Sequence, residues 1–273
     1  MATYRFEETI DHPAVTGTLF FPRRIAASSV PAFPDGKTFE IPAGDDTLGA
    51  MGRFPHPEGL TVLFFHGNGE VMTDYFLFDF HERIASLGAN FLVVDYRGYG
   101  LSTGSPSLSN LLQDARAAWA HATEAMGLPP GKIVIMGRSL GSLAALEAAS
   151  GPGRDALGLV LESGIARFDD WVGRMRPLIE AAGIDMARLE GALRDAFDQE
   201  AKMGAFPGPA LVMHAPDDEI VPVEHGRLLA SWGDPSRTRS RIFPRGGHND
   251  IHLVNEKDYF ETLGEFLSGL SPV

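Results

Sequence analysis

The segment from Lys132 to Ser150 restricts the fold of this chain more than any other stretch of the sequence. It opens with a short β-branched apolar run typical of a buried strand and ends in small residues that favour a helix. Between them stands Gly137-Arg-Ser139-Leu-Gly141, which matches G-x-S-x-G. A strand turns into a helix this quickly only if the turning residue takes a strained conformation between glycines. The pattern predicts that Ser139 is a nucleophile raised at a sheet edge; the alternative is that small residues only allow close strand–helix packing.

Short apolar runs alternate with amphipathic segments along most of the chain. The predicted strands span residues 38–42, 47–54, 60–65, 90–94, 133–136, 157–161, 209–213 and 239–243, and the predicted helices span 71–87, 108–126, 140–149 and 256–267. This alternation predicts one α/β domain over residues 1–273, with a mostly parallel sheet of about eight strands covered by helices on both faces. Ligands of such sheets bind at the carboxyl ends of the strands.

Two segments depart from this regular alternation. Residues 1–37 form an N-terminal extension, in which we predict a short strand at 16–22 followed by a proline-rich connector. Residues 165–207 are longer than a simple crossover and contain two predicted helices, 169–182 and 185–203. We expect this insert to be a small helical cap over the strand ends that shapes a binding site. The alternative is an elaborated crossover whose apolar residues face the core.

A serine hydroxyl becomes a good nucleophile when an imidazole takes its proton and an anion orients that imidazole. The last third of the sequence supplies both groups, since Asp218 follows one predicted strand and His248 follows the final one. Two glycines before His248 allow its loop to bend sharply. Ser139, Asp218 and His248 therefore occur in the order Ser…Asp…His, each just beyond a strand end.

The identity of the acid is less tightly constrained than that of the base. Asp218 is preferred because it directly precedes the turn toward the next predicted helix, whereas Asp217 could cap that turn with its own side chain. Glu162, at the end of the strand before the insert, is a second alternative because an acid there could also reach the imidazole.

Acyl transfer also requires backbone donors for the oxyanion of the tetrahedral intermediate. The glycine-rich segment Phe65-His-Gly-Asn68-Gly follows the first strongly apolar strand and leaves the backbone exposed at its end. We expect the Asn68 and Leu140 N–H groups to form the oxyanion hole. A simple glycine-rich turn between strand and helix is the alternative for this segment.

Five motifs in this order resemble those of the α/β-hydrolase superfamily. They are Phe65-His-Gly-Asn68, Asp95-Tyr-Arg-Gly-Tyr-Gly-Leu-Ser102, Gly137-Arg-Ser-Leu-Gly141, Asp218-Glu-Ile-Val-Pro222 and Gly247-His-Asn-Asp-Ile251. The chain is most similar to the branch of serine hydrolases that includes the Bem46 and abhydrolase-17-type proteins. The resemblance implies the α/β-hydrolase fold, with Ser139 as nucleophile, Asp218 as acid, His248 as base, and Asn68 and Leu140 as oxyanion donors.

Composition excludes several other classes of function. The chain has no cysteine, which rules out disulfides, thiolate metal sites and a cysteine nucleophile. A formal charge of −13 argues against non-specific binding to nucleic acid. No apolar run approaches the ~20 residues that span a bilayer, and the first residues lack the pattern of a signal peptide, so we expect a cytoplasmic protein without stable membrane insertion. No HExxH-type histidine spacing occurs, and we predict no metal and no cofactor.

The leading hypothesis from the sequence is a serine hydrolase that cleaves small-molecule carboxylic esters or thioesters through an acyl-enzyme. An amidase or peptidase would use the same residues, and a non-catalytic protein that only binds a ligand is a third possibility. The expected substrates are esters with short to medium uncharged acyl chains. The sequence leaves the oligomeric state open.

Overall fold

A computed structural model describes residues 6–33 and 35–270 and contains an eight-stranded sheet in the order β1-β2-β4-β3-β5-β6-β7-β8. The strands are β1 (Gly36–Ala43), β2 (Asp46–Arg53), β3 (Thr61–Phe65), β4 (Asn90–Val94), β5 (Ile133–Arg138), β6 (Gly158–Glu162), β7 (Ala210–His214) and β8 (Thr238–Ile242). β1 and β2 run antiparallel to their neighbours, and β4, β3, β5, β6, β7 and β8 are parallel. The prediction of a mostly parallel sheet is therefore confirmed.

Helices cover both faces of this sheet. They are α1 (Pro13–Leu19), α2 (Met72–Leu77), α3 (Phe80–Ser86), α4 (Leu108–Ala120), α5 (Gly141–Ser150), α6 (Asp169–Ala181), α7 (Met186–Ala196), α8 (Gln199–Ala205), α9 (Val223–Trp232), α10 (Ile251–Val254) and α11 (Glu256–Ser268). Alternate strand residues enter two separate cores, because successive side chains of a strand point to opposite faces. Phe65 packs in the core that includes α1, α4 and α5, and Phe64 packs in the core that includes α2, α3 and α11.

The predicted strand at 16–22 is wrong, since the structure forms helix α1 in this region. Pro13 occupies the first turn, where its missing N–H costs nothing. The His12 side chain caps the helix by accepting a hydrogen bond from the N–H of Ala14 at 3.1 Å. Val15 and Leu19 then lie on one buried face at helical spacing. The cap and this buried face outweigh the β-branched character that suggested a strand.

Two long predicted helices are each divided in two. The helix predicted at 71–87 breaks at Asp79, whose φ of 57° lies in the left-handed region, and forms α2 and α3. The helix predicted at 185–203 ends at Ala196, and Asp198 starts the next one by accepting a hydrogen bond from the Ala201 N–H at 2.9 Å. An aspartate that caps a new helix interrupts a run whose apolar spacing alone suggests continuity.

The insert between β6 and β7 holds α6, α7 and α8. α8 packs against α5 and α9 of the main body, and α6 contacts the N-terminal helix α1. The insert and the N-terminal extension therefore meet on the same side of the molecule. This side also contains the carboxyl end of β5 and a cavity above it.

Candidate active site

Ser139 occupies a strained turn between β5 and α5. Its φ is 51°, in the left-handed region that non-glycine residues rarely adopt. A Cβ at Gly137 would stand 2.4 Å from the Gly141 carbonyl oxygen, and a Cβ at Gly141 would stand 2.1 Å from the Phe65 carbonyl oxygen. Only glycine fits at either position, so both motif glycines are required by close backbone approach.

The structure brings the three predicted catalytic side chains together in one line. His248 Nε2 lies 2.8 Å from Ser139 Oγ, and His248 Nδ1 lies 2.8 Å from Asp218 Oδ2. Each residue follows a different strand, namely β5, β7 and β8, at the shared carboxyl edge of the sheet. All three are buried, with between 3% and 7% of each residue exposed. This geometry allows the imidazole to accept the serine proton while the carboxylate orients it.

Asp218 is held in place by more than His248. Its Oδ1 accepts hydrogen bonds from the backbone N–H groups of Ile220 at 3.0 Å and Val221 at 2.7 Å. His214 Nε2 lies 3.2 Å from Oδ2 on the other side. Burial by itself would raise the pKa of Asp218, but the hydrogen bonds from His214, His248 and Val221 outweigh burial and hold the pKa well below its usual range. The carboxylate is therefore anionic at neutral pH.

The two alternative acids lie elsewhere. Asp217 is exposed to solvent beside the site. Glu162 is buried, but it accepts a hydrogen bond from Arg138 Nε at 3.1 Å and a short one from the Tyr259 hydroxyl. Of the three carboxylates considered from the sequence, Asp218 is the one that contacts the His248 ring.

The two predicted oxyanion donors are free to bind a ligand. Within the described part of the chain, neither the Asn68 nor the Leu140 backbone N–H has a hydrogen-bond partner. The Asn68 side chain is held by the N-terminal extension and by Tyr99, because Nδ2 donates to the Leu19 carbonyl at 2.6 Å and Oδ1 accepts from Phe21 N–H at 2.9 Å and from the Tyr99 hydroxyl at 2.6 Å. These contacts fix the position of the Asn68 backbone, whose N–H is the predicted oxyanion donor.

A cavity of about 440 Å³ opens above Ser139. Its walls come from the N-terminal extension, the insert, the loop after β7 and the catalytic loops, and include Thr18, Leu19, Phe21, Ile165, Phe168, Trp171, Met175, Ile220, Val221 and Pro222. Most of these side chains are apolar, which suits an acyl chain more than a highly charged ligand. Exposed Arg167 and Arg174 also line the cavity.

Sequence reasoning identified only part of this cavity. Trp171 and Met175 of the insert line it, whereas Phe197 lines a neighbouring cavity and packs against Phe168 with ring centroids 5.1 Å apart. The contribution of Leu19 and Phe21 was missed, because nothing in the local sequence of the extension indicates its distance from Ser139.

His225 is buried against the insert. Its Nδ1 accepts a hydrogen bond from Ala166 N–H at 3.1 Å, and its Nε2 lies 3.2 Å from Asp170 Oδ2 at the start of α6. The ring also lines the cavity. His225 therefore connects α9 to the insert at the edge of the candidate site.

Two features of the described residues bear on other functions. In residues 6–33 and 35–270, no three His, Asp or Glu side chains converge in a way that could hold a metal ion. None of the helices in the same ranges combines the length and apolar character needed to cross a bilayer.

The sheet order and the strained serine turn define the class of α/β hydrolases. Residues 56–193, slightly more than half of the chain, match the family described as "Hydrolase_4: Serine aminopeptidase, S33". The chain belongs to the α/β-hydrolase family, which confirms the resemblance seen in the sequence motifs.

Individual relatives support this assignment. The chain is 30% identical over 234 residues to alpha/beta hydrolase domain-containing protein 17C of Mus musculus, which covers 84% of this chain and 67% of the mouse protein. It is 31% identical over 212 residues to alpha/beta hydrolase domain-containing protein aho-3 of Caenorhabditis elegans, covering 76% of this chain and 57% of the relative. The chain thus spans about two thirds or less of the length of these relatives.

The fold is also shared with a solved esterase structure. The Pyrococcus furiosus esterase Pf2001 superimposes with a TM-score of 0.70 at 18% identity, covering 92% of this chain and 97% of that one. At this level of identity the likeness establishes a common fold.

Proposed function

We propose that this protein is a serine hydrolase that cleaves carboxylic esters or thioesters of small molecules through an acyl-enzyme. The observation that carries the proposal is the continuous chain of contacts from Ser139 Oγ through the His248 ring to Asp218, with the serine on a strained turn. A buried, oriented imidazole beside a serine hydroxyl has the geometry required of a general base.

The proposed reaction has two stages. His248 Nε2 takes the proton of Ser139 as Oγ attacks the acyl carbonyl, and the resulting imidazolium is stabilised by Asp218 and then protonates the leaving group. A water molecule, deprotonated by the same ring, attacks the acyl-enzyme and releases the acid. The Asn68 and Leu140 N–H groups would hold the oxyanion in both stages.

The cavity supports a substrate with an apolar acyl part. Its apolar walls favour short to medium uncharged chains, since burial contributes ~0.8 kcal/mol per methylene. The structurally similar Pyrococcus protein is named an esterase, which agrees with this proposal.

Replacement of Ser139 by alanine is the direct test of the proposed function. Ser139→Ala should fold normally and lose at least ~10³-fold in kcat toward a p-nitrophenyl ester, because no other group can form the acyl-enzyme. The same variant should no longer be labelled by a fluorophosphonate. Ser150→Ala, at the far end of α5, is the matched control and should keep both properties. Retention of a tenth of the wild-type rate by Ser139→Ala would rule out Ser139 as the nucleophile.

A peptidase or amidase activity is the second candidate, favoured by the family description "Serine aminopeptidase, S33". A p-nitrophenyl ester and a p-nitroanilide with the same acyl group separate the two activities. We expect kcat/KM to be higher for the ester, and a higher value for the anilide would favour the peptidase. Failure of wild-type protein to react with the fluorophosphonate would instead favour a binding protein without catalytic activity.

A further inference from the structure

Arg138, the residue before the candidate nucleophile, is a buried cation at the centre of the site. Only 4% of the Arg138 surface is exposed to solvent. Its terminal nitrogen Nη2 donates to the His248 carbonyl oxygen at 2.6 Å and to Asn249 Oδ1 at 3.1 Å. Nε donates to Glu162 Oε1 at 3.1 Å, and Nη1 forms a short ion pair with Glu70. One guanidinium thus contacts two carboxylates and the backbone of the candidate base.

Glu70 extends these contacts to the loop that carries Asn68. Its Oε2 accepts a hydrogen bond from the Gly67 N–H at 2.7 Å, directly before Asn68. The Tyr75 hydroxyl donates a short hydrogen bond to the same oxygen. The position of the Gly67–Asn68 backbone is therefore tied to Arg138 through one carboxylate.

Glu162 connects Arg138 to the serine turn in a second way. Its carboxylate accepts from Arg138 Nε, and its backbone carbonyl accepts a hydrogen bond from the Ser139 N–H at 2.9 Å. The Tyr259 hydroxyl of α11 donates to the other carboxylate oxygen. The β6 backbone therefore anchors the serine turn, and the Arg138 guanidinium holds the Glu162 side chain at the end of β6.

The charges in this cluster depend on one another. Burial alone would raise the pKa of Glu70, but the Arg138 charge and the hydrogen bond from Tyr75 outweigh burial and lower it. Removal of the guanidinium would leave the partly buried carboxylate of Glu70 and the buried carboxylate of Glu162 without their shared cation, which is strongly unfavourable. Lysine would restore a charge but not the contacts, because its single nitrogen cannot replace a planar fork of five donors.

We propose that Arg138 is a positioning residue that sets the relative placement of Ser139, His248 and the Asn68 loop. This inference rests on the proposed function. Arg138 adjoins the nucleophile in the sequence, bonds the backbone of the base, and reaches the oxyanion loop through Glu70. None of these contacts involves the reacting atoms, so its effect is on geometry. A shift of ~1 Å between such groups can cost ~10²-fold in rate.

The experiment compares Arg138→Lys with Arg97→Lys as the matched control. Arg97 is also a buried arginine: its Nε lies 3.1 Å from Asp114, its Nη2 donates to the Ala43 carbonyl, and it makes no contact with the candidate triad. Arg138→Lys should lower kcat for a p-nitrophenyl ester by ~10²-fold, with KM changed by less than ~3-fold. The rate constant of fluorophosphonate labelling should fall in parallel. Arg97→Lys should keep wild-type kcat among its folded molecules.

A triple variant separates positioning from simple loss of stability. Arg138→Met combined with Glu70→Gln and Glu162→Gln removes the cation and both charges that it neutralises. We expect this variant to unfold at a higher temperature than Arg138→Met alone, while its kcat stays low because the bond to the His248 carbonyl is still missing. Near-UV circular dichroism and titration of active sites with the fluorophosphonate give the folded and reactive fractions of each protein.

Three results would overturn the inference. One is wild-type kcat in folded Arg138→Lys; another is recovery of kcat together with stability in the triple variant. The third is an equal loss of kcat in Arg97→Lys, which would indicate general destabilisation. Failure of the proposed function is distinct from all three, because then the wild-type protein would not be labelled or Ser139→Ala would remain active.

Discussion

At the scale of single residues, neighbouring aspartates in the loop after β7 have very different surroundings. Asp218 is buried and bonded to two histidines and two backbone N–H groups, whereas Asp217 is exposed. The sequence places both at the same strand end, and it favours Asp218 as the catalytic acid while leaving Asp217 as an alternative. Burial and bonding make them chemically different, because only a carboxylate shielded from water can orient the His248 ring strongly.

This difference leads to a prediction for the two aspartates. Asp218→Asn should reduce kcat by ~10³- to 10⁴-fold, since an amide cannot stabilise the imidazolium or select the required tautomer. Asp217→Asn should leave kcat unchanged and alter the free energy of unfolding by less than ~0.5 kcal/mol. Steady-state kinetics and urea unfolding of the two variants provide the comparison. A reversed pattern would assign the acid to Asp217, and two silent variants would direct attention to Glu162.

At the scale of secondary-structure elements, the cavity is built from parts far apart in the sequence. Leu19 is the last residue of α1 and Phe21 follows that helix, and both bond through their backbones to the Asn68 side chain. Trp171 and Met175 lie on α6, which contacts α1 across the cavity. The N-terminal extension and the insert therefore form two walls of one binding site.

Substitutions in α6 should change which acyl chain is preferred. Trp171→Ala and Met175→Ala enlarge the cavity, so the preferred ester should become longer, and each methylene that fits should change kcat/KM by up to ~4-fold. Leu178→Ala is the control, because Leu178 is an exposed residue of the same helix and does not line the cavity; it should leave the preference unchanged. A graded series of p-nitrophenyl esters measures the profile. Identical profiles in all three variants would mean that the insert is an elaborated crossover and that specificity lies elsewhere.

At the scale of the whole molecule, net charge influences which substrates approach the site. The formal charge of −13 repels polyanions over distances comparable to the Debye length, which is ~30 Å at 0.01 M salt and ~8 Å at 0.15 M. Exposed Arg167 and Arg174 at the cavity oppose this repulsion locally, whereas exposed Asp170 and Glu219, which also line the cavity, add to it.

Changing the ionic strength distinguishes the effect of the net charge of the molecule from the effect of the charged side chains at the cavity. For an acyl-CoA thioester, kcat/KM should rise between 0.01 M and 0.15 M salt, because screening weakens repulsion between like charges. For an uncharged thioester with the same acyl group it should stay constant. Stopped-flow or steady-state assays of the two thioesters give the comparison. A decrease for acyl-CoA would mean that Arg167 and Arg174 dominate and that anionic substrates are attracted.

Much of the fold and of the site chemistry could be predicted from the sequence, because local patterns encode them. Apolar runs of strand length alternate with amphipathic segments, and this alternation was sufficient to predict a mostly parallel sheet. Gly137 and Gly141 indicate a strained turn by their residue type, and the structure shows that a Cβ at either would collide with backbone atoms. The placement of Ser139 and His248 at strand ends follows from the same patterns, because parallel strands present their carboxyl ends at one edge.

Contacts between segments distant in sequence were decided only by the tertiary structure. No local pattern brings Leu19 to Asn68, Arg138 to the His248 carbonyl, or Glu162 to Tyr259, since each contact depends on how helices and loops pack around the finished sheet. The predicted strand at 16–22 failed for the same reason, because its helical conformation is stabilised by burial of Val15 and Leu19 in a core built from distant segments. The sequence by itself determined which chemical groups stand at the strand ends. The tertiary structure determined which of them are buried, bonded and aligned, because dielectric environment and distance arise only from packing.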